Sequence, residues 1–292
     1  MAEAVAVSSP QLRTRQRRDA WRRFRRQTPA MLGLTIFLIL ILAAIAAPVL
    51  TPYDPEKLKL VDALIHPNLA HPLGTDHLGR DMLARILYGG RLSLMIGFLA
   101  VGIGLVVGMP LGAVSGYYGG WVDMLVQRIA DVLLSFPSIL LALALVAALG
   151  VGLRNVIISV GVSAIPSFIR LVRGSVLSIR EQTYVEAARS VGVKDHLILR
   201  RHILVNAMAP VIVQATLNLG TAILVAAGLG FLGLGVQPPT PEWGAMLGEG
   251  RQYIFSASYM ATFPGLAIFL AVLGFNLMGD GLRDALDPRL RD

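Results

Sequence analysis

Long apolar stretches, separated by shorter polar ones, run through the whole 292-residue chain. Six of them are about 20 residues long, the length that an α-helix needs to cross the hydrocarbon core of a bilayer. The pattern therefore predicts an all-α membrane protein with six transmembrane helices. The predicted spans are residues 31–50, 92–114, 132–149, 156–175, 207–232 and 259–278.

These spans divide the chain into five predicted parts. A basic tail precedes the first span, a polar segment follows it, and a core of five spans contains one long polar loop before a short final tail. The predicted boundaries are 1–29 for the basic tail, 30–50 for the first span, 51–91 for the polar segment, 92–281 for the core with its loop at 178–206, and 282–292 for the final tail.

Clusters of basic residues predict the orientation of the chain. The first 29 residues carry eight arginines, and segments rich in Arg and Lys stay in the cytoplasm. Counting spans from there places residues 51–91 outside, and the loop at 178–206 and the C-terminus inside. A competing interpretation is a signal peptide cleaved after Ala44-Ile-Ala46. A retained first span is favoured because the apolar run continues to Leu50 and the basic leader is unusually long.

Basic residues near the loop at 178–206 and in the C-terminal tail agree with the orientation obtained by counting spans. They are Arg173, Arg180, Arg189, Lys194, Arg200, Arg201, Arg283, Arg289 and Arg291.

Composition supports the membrane class and removes several others. Hydrophobic residues make up 55% of the chain, and the mean hydropathy is +0.65. There is no cysteine, which excludes disulfides, thiol catalysis and cysteine metal sites. The net charge of +8 comes mostly from arginines beside the apolar spans. Membrane orientation explains that charge better than nucleic-acid binding does, so no nucleic acid is expected as a partner.

The interiors of the predicted spans contain almost no Asp, Glu, Lys or Arg. Ion-coupled carriers usually place ionisable groups near the membrane midplane, so this pattern counts against a proton-driven carrier, although not against sodium bound by carbonyls. Gln214, Asn218 and Thr221 share one face of the fifth predicted span. They could line a translocation path or join helices by hydrogen bonds, and the sequence leaves both interpretations open.

Glycines recur at every fourth position of the second predicted span, at Gly104, Gly108, Gly112 and Gly116. This spacing predicts a flat helix face against which another helix packs closely.

The string Gly228-Leu-Gly-Phe-Leu-Gly233 matches a dinucleotide fingerprint, but it lies at the end of a span rather than after a β-strand, so it does not indicate dinucleotide binding.

Other patterns do not indicate an enzyme. No Gly-Lys pair is present, so there is no phosphate-binding loop of the Walker type. His66, His71 and His77 fit no standard metal spacing. No nucleophile and base can be paired by spacing. We therefore expect no catalytic residue, no metal and no cofactor in this chain.

Two polar segments are predicted to lie outside. In the first, Thr75 or Asp76 is predicted to cap a short helix that Gly89 ends. That helix could rest on the membrane or dock a soluble delivery protein. In the second, three prolines stiffen the chain and Trp243 could anchor it at the membrane interface. The candidate docking or gate residues in these segments are Asp76, Arg80, Asp81, Glu242 and Trp243.

The loop at 178–206, called here the polar hairpin, is the most informative segment. Tyr184, Ala188 and Val191 form a narrow apolar stripe on a first helix. Gly192 is predicted to end that helix in the left-handed conformation, and Asp195 to cap a second helix that leads into the fifth span. The hairpin could lie on lipid headgroups or be held by another protein.

The string Glu186-Ala187-Ala188, followed by three residues and Gly192, resembles the EAA loop of permeases in ATP-binding-cassette importers. The family motif ends in Ile-x-Leu-Pro, whereas Ile203-Leu204-Val205-Asn206 in this chain lacks the proline, which Val205 replaces. The chain is similar to the second, C-type subunit of the dipeptide, oligopeptide and nickel branch. Three further strings carry that resemblance: Leu73-Gly-Thr-Asp-His-Leu-Gly-Arg-Asp81, Gln237-Pro-Pro-Thr-Pro-Glu-Trp-Gly244 and Asn276-Leu-Met-Gly-Asp-Gly-Leu-Arg-Asp-Ala-Leu-Asp-Pro288.

The resemblance implies a type I importer half-channel. It would pair with a homologous permease, two cytoplasmic ATPases and an extracytoplasmic substrate-binding protein, with ATP and Mg²⁺ bound by the ATPases. The residues expected to couple to an ATPase are Tyr184, Glu186, Ala187, Ala188, Gly192 and Asp195.

The expected function is import of dipeptides or oligopeptides through the cell inner membrane. Import of nickel, glutathione or another small solute is the alternative within the branch. An ion-coupled carrier working alone, and a scaffold without transport, are the alternatives from other classes.

Overall fold

The computed structural model of the chain describes residues 21–286, and these residues form α-helices with no β-strand among them. Five of the helices are long and apolar enough to cross a membrane, and a sixth span results if one sharply bent pair is counted as a unit. The prediction of an all-helical fold is therefore confirmed, and five of the six predicted spans correspond to these five long helices. The basic residues before residue 21, together with Arg289 and Arg291, lie outside the described residues.

The helices are numbered in chain order. A 3₁₀ turn at Leu60–Asp62 lies between α2 and α3, a π-helical turn at Leu199–Ile203 joins α8 to α9, and a second 3₁₀ turn at Arg251–Tyr253 follows α10. The helices are α1 Thr28–Ile45, α2 Ala47–Leu50, α3 Met82–Tyr118, α4 Gly120–Leu134, α5 Ser138–Leu149, α6 Leu153–Arg180, α7 Thr183–Ser190, α8 Asp195–Ile198, α9 Leu204–Phe231, α10 Trp243–Gly250 and α11 Tyr259–Leu286.

The third predicted span, residues 132–149, is not a single helix, so this prediction is wrong. The apolar stretch is divided between α4 and α5, whose axes differ by 90°. Pro137 causes the break, because proline has no amide hydrogen to donate and disfavours the helical conformation in the residue before it. The 12 residues of α5 span only about 18 Å, so α5 alone is too short to cross the membrane.

The second predicted span is the central part of a longer helix. We expected a short helix capped by Thr75 or Asp76 and ended by Gly89, and both expectations are wrong. Asp81 caps α3, accepting a hydrogen bond from the backbone N–H of Ala84 at 2.7 Å, and α3 continues through Gly89 for 37 residues. Gly89 therefore does not end the helix, and a Cβ there would make only an ordinary van der Waals contact, 3.4 Å from the backbone of Pro241.

The glycine ladder of α3 packs against α6, as its spacing predicts. A Cβ added at Gly108 would lie 2.8 Å from the carbonyl oxygen of Ile165, and one at Gly112 would lie 2.5 Å from that of Ile169. The backbones of the two helices therefore approach closely along about three turns. This contact lies within the chain, so the ladder needs no second subunit to explain it.

The first and last helices pack side by side. A Cβ at Gly33 of α1 would lie 2.6 Å from the carbonyl oxygen of Gly274 in α11, so only glycine fits at this crossing. The largest group of buried hydrophobic residues lies among α3, α6, α9, α10 and α11. A second, separate group lies where the polar hairpin meets the bundle, which we call the hairpin end, and the opposite end of the bundle is the far end.

Candidate coupling hairpin and far-end network

The polar hairpin has the predicted helix–glycine–helix form. Gly192 has φ +79°, a left-handed conformation that glycine adopts without strain. Its N–H donates to the carbonyl oxygen of Arg189 at 3.0 Å, and the N–H of Val193 donates to that of Ala188 at 3.1 Å. These two bonds are those of the Schellman motif, which satisfies the last carbonyls of a helix. The turn of the hairpin is thus set by local backbone hydrogen bonds.

Asp195 does not cap the second helix, contrary to the prediction. The extended backbone that defines a cap lies one residue earlier, at Lys194, and no side chain bonds to the helix start there. The carboxylate of Asp195 instead accepts a hydrogen bond from the hydroxyl of Tyr117, at the end of α3, with an oxygen–oxygen distance of 2.6 Å. Sequence spacing could not reveal this pair, because its members are far apart in the chain.

The first helix of the hairpin has one buried face and one exposed face. Val185 is buried against the bundle, whereas Tyr184 is 42% exposed and Glu186 and Ala187 lie on the surface. Val191, at the end of the predicted apolar stripe, is 79% exposed. The two ends of the stripe, Tyr184 and Val191, are therefore exposed to another molecule, whereas Ala188 between them is half-buried and packs against the hydrophobic group at the hairpin end.

The end of the hairpin is held by a residue that the sequence did not single out. The side-chain amide of Asn206 donates to the hydroxyl of Tyr184 at 3.0 Å and to the carbonyl oxygen of His202 at 2.6 Å. The π-helical turn lies just before this point, and Val205 beside it is exposed. Asn206 directly follows Val205, which replaces the proline of the EAA motif, and its hydrogen bond to Tyr184 joins this end of the hairpin back to the first helix.

Two of the three candidate path residues form hydrogen bonds. The amide of Gln214 donates to Oδ1 of Asn218 at 3.1 Å, and the amide of Asn218 donates to Oγ of Ser167 on α6 at 3.2 Å. The bond from Asn218 to Ser167 agrees with the interpretation that these residues join helices, whereas the bond from Gln214 lies within α9 and Thr221 is at an exposed position on that helix. A role in the path stays a prediction for all three.

At the far end, four charged side chains form a cluster that we call the far-end network: Asp76, Arg80 and Arg85, which are buried, and Glu249, which is 21% exposed. Oδ2 of Asp76 lies 2.5 Å from Nε of Arg80, and Arg80 also donates to Glu249 at 3.0 Å. Arg85 lies 3.5 Å from Asp76 and 3.3 Å from Glu249. Two carboxylates and two guanidinium groups balance in charge, which is the condition under which ions are tolerated away from water.

Arg85 and Glu249 were not predicted from the sequence. Arg85 is only 1% exposed, and it also donates to the carbonyl oxygens of Pro55 and Pro239 at 3.4 Å. It thereby joins the polar segment after the first span, the start of α3, the proline-rich segment and α10. Arginine suits this position because its planar group presents five N–H donors.

The second group of predicted far-end residues is buried as well. Glu242 caps α10, accepting hydrogen bonds from the backbone N–H groups of Gly244 at 2.9 Å and Ala245 at 2.8 Å and from the hydroxyl of Ser93 at 2.9 Å. Burial raises the pKa of the Glu242 carboxyl, and these three hydrogen bonds oppose the increase. Trp243 is 2% exposed and donates its indole N–H to the carbonyl oxygen of Ile86 at 2.9 Å.

Burial changes how the docking-or-gate prediction can be understood. Trp243 packs inside the protein, so its predicted role as a membrane-interface anchor is wrong. Asp76, Arg80, Asp81 and Glu242 are each at most 3% exposed, and they offer little surface to a docking protein. Their positions fit the gate alternative better, because they hold together the segments that close the far end. The gate role itself stays a prediction.

The three histidines contact different partners. His71 lies 2.8 Å from a carboxylate oxygen of Asp81, His77 stacks on Tyr253, and His66 packs edge-on against Tyr259. His77 also lies near the carboxylates of the far-end network, but the two arginines already neutralise those carboxylates.

Comparison with known families decides what kind of protein carries this hairpin. The family described as "binding-protein-dependent transport system inner membrane component" matches residues 108–292. The chain belongs to this permease family. A second family, the N-terminal transmembrane domain of oligopeptide transport permease C, matches residues 15–72. The glycine ladder from Gly108 onward, the polar hairpin and the last two long helices of this permease therefore lie in the first family's region.

Curated relatives cover almost the whole permease. The chain is 51% identical to a dipeptide transport system permease protein of Alkalihalophilus pseudofirmus, over 94% of this chain and 90% of the relative. It is 52% identical to a glutathione transport system permease protein of Escherichia coli O157:H7, again over 94% of this chain and 90% of the relative.

A solved structure supports the fold. A chain of the inward-facing MetNI methionine ABC transporter matches 70% of this permease and 98% of its own length, with a TM-score of 0.58 and 22% sequence identity. The fold is therefore that of an importer permease, and the protein is a multi-pass membrane permease.

Proposed function

We propose that this permease forms half of the translocation path of an ATP-driven importer for dipeptides or oligopeptides. Its partners would be a homologous permease, two cytoplasmic ATPases that bind ATP and Mg²⁺, and an extracytoplasmic substrate-binding protein. Both termini and the polar hairpin would then lie in the cytoplasm. Family membership supports this arrangement, since the family name itself describes transport that depends on a binding protein.

The observation that carries the proposal is the exposed face of α7. Tyr184, Glu186 and Ala187 lie on the surface of a short helix whose other face is anchored by buried Val185. Small and apolar side chains on a rigid support suit insertion into a groove of another protein. The hairpin also continues through the π-helical turn into α9, so a partner that moves it would move membrane helices directly.

Import of glutathione, itself a short peptide, is the second candidate. It rests on relatives of equal similarity, because the glutathione permease and the dipeptide permease differ by one percentage point in identity to this chain. Uptake by the reconstituted complex, with labelled dipeptide and glutathione each competed by the other, separates the two substrates.

A charge reversal on α7 tests the coupling role. Glu186→Lys places a cation on the exposed face and should reduce co-purification of the ATPases about tenfold or more. The wild-type complex, in a separate uptake assay, should show transport that vanadate inhibits. Glu181→Lys is the matched control, since Glu181 is an exposed acid of the same hairpin that precedes α7. Equal ATPase recovery with both variants would contradict the proposed role of α7. Uptake by the isolated chain, driven by an ion gradient, would contradict the importer itself.

A further inference from the structure

The polar hairpin contacts a third membrane helix to which it is not adjacent in sequence. Its two ends continue into α6 and α9, but its buried side chains pack with the end of α3 as well. They form the separate hydrophobic group at the hairpin end. The members of this group are Ala113, Tyr117, Val172, Val176, Val185, Ile198, Leu199, Ile203 and Val211.

Tyr117 makes the specific contacts of α3 with the hairpin. Its side chain is 7% exposed, and its hydroxyl donates to the carboxylate of Asp195, at the start of the second hairpin helix, at 2.6 Å. The guanidinium carbon of Arg189, on the first hairpin helix, lies 6.0 Å from the centre of the Tyr117 ring. One side chain of α3 therefore contacts both helices of the hairpin. A hydrogen bond to a carboxylate is stronger than one between neutral groups.

A second bond joins α3 to the start of the hairpin, and on its other side the end of α3 is bonded to α4. Arg180, the last residue of α6, donates to the carbonyl oxygen of Gly116 at 2.9 Å. Beyond Tyr118 the chain passes through Gly119 at φ +67° and Gly120 at φ +57°, and no atom lies within 4 Å of a Cβ built at either glycine. Across this turn, the hydroxyl of Ser115 in α3 donates to the carboxylate of Asp123 and accepts from the amide of Gln127 at 3.1 Å, so α4 would move together with the end of α3.

The opposite end of α3 carries Arg85 of the far-end network. The helix has 37 residues and is about 55 Å long, so it reaches from the hairpin to the far end as one continuous element. A displacement of its hairpin end would be transmitted along the helix to the segments that Arg85 joins.

We propose that Tyr117 is a positioning residue for energy coupling, which fastens the polar hairpin to α3 so that movement of the hairpin reaches the far-end network. Hairpin movement then drives three membrane helices, of which only α6 and α9 are its neighbours in sequence. The inference rests on the proposed importer function, because it assigns a role within the coupling that this function requires.

The decisive experiment compares two adjacent tyrosines in the complete reconstituted complex. Tyr117→Phe removes the hydroxyl and keeps the ring, and Tyr118→Phe makes the same chemical change at a residue that is 54% exposed. With Tyr117→Phe, ATP hydrolysis should stay within about twofold of wild type, while substrate imported per ATP hydrolysed falls about tenfold. Tyr118→Phe should leave both quantities unchanged. An unchanged transport ratio with Tyr117→Phe would overturn the proposal.

Changes at Asp195 test the same bond from its other side. Asp195 is exposed, so its replacement does not disturb the buried packing. Asp195→Asn keeps an oxygen that accepts the hydrogen bond and should retain most of the coupling, whereas Asp195→Ala should lose it. The double variant Tyr117→Phe with Asp195→Ala should be no worse than either single variant. Additive losses would show that the two residues act separately and would refute the proposal.

Hydrogen exchange in the purified full chain separates failure of this inference from failure of the proposed function. Tyr117→Phe should speed amide exchange across residues 183–198, and Tyr118→Phe should not. If the wild-type complex imported nothing with ATP, the proposed function would fail while this exchange result still reported on the fastening. Equal exchange in both variants would refute the fastening even in a working importer.

Discussion

The contact between α3 and α6 can be tested by adding a single methyl group to the glycine ladder. In Gly112→Ala the new Cβ would lie 2.5 Å from the carbonyl oxygen of Ile169, 3.1 Å from its Cα and 3.0 Å from Cβ of Val172. Two of these atoms belong to the backbone of α6, so no side-chain rotation can relieve the contact. The helices must separate along the ladder. Overpacking of this kind costs about 1–3 kcal/mol.

The same helix offers a matched control. Gly102 also lies within α3, but a Cβ built there has no neighbour within 4 Å. Replacement of glycine by alanine favours a helix by up to about 1 kcal/mol, and this gain applies equally to Gly102→Ala and Gly112→Ala. The difference in stability between the two variants therefore isolates the cost of the contact.

Thermal unfolding of the full chain in detergent measures this difference. For a domain of this size each kcal/mol corresponds to roughly 2–4 °C in Tm. Gly112→Ala should accordingly melt about 2–12 °C below Gly102→Ala. Equal Tm values would mean that α6 moves away at no cost, and the reasoning from backbone contact would be refuted.

Two further substitutions test the far end and the hairpin turn. Arg85→Met leaves the buried carboxylate of Asp76 and the half-buried carboxylate of Glu249 with one fewer cation, and it should lower the free energy of unfolding by about 3–5 kcal/mol. Lys57→Met, at an exposed position, should change it by no more than about 0.5 kcal/mol. Similar Tm values for these two variants would show that the network is not stabilising. Gly192→Ala forces a side chain into φ +79° at a cost of about 1–2 kcal/mol and should reduce uptake without loss of membrane insertion, while Gly174→Ala, in open space within α6, should not. Normal uptake with Gly192→Ala would contradict the need for a left-handed stop.

The features that the sequence predicted well depend on residues close together in the chain. Because glycines recur at every fourth residue from Gly104 to Gly116, they lie on one face of the helix regardless of which helix packs against it. Close packing follows because this face has no side chains. The stop at Gly192 depends on hydrogen bonds within five residues. Local geometry determines both features, so a single sequence is enough to predict them.

The features that were missed depend on residues far apart in the chain. The bond between Tyr117 and Asp195 spans 78 positions, and that between Arg85 and Glu249 spans 164. No local period indicates such pairs, because the packing of the whole bundle brings them together. The break at Pro137 is different, since the proline is visible in the sequence but lies within an apolar run long enough to suggest an unbroken span.

The close crossing of Gly33 with Gly274 has a consequence for how the protein is made. The two residues lie at opposite ends of the chain, so α1 cannot pack on α11 until nearly all of the protein has been synthesised. At ribosomal rates of about 5–20 residues per second, the roughly 240 intervening residues take about 12–50 s. The first helix to enter the membrane is therefore among the last to complete its native packing. A chain truncated before α11 would leave it with contacts to α3, such as the bond from Arg91 to the carbonyl oxygen of Ala44 at 2.6 Å, but without this crossing.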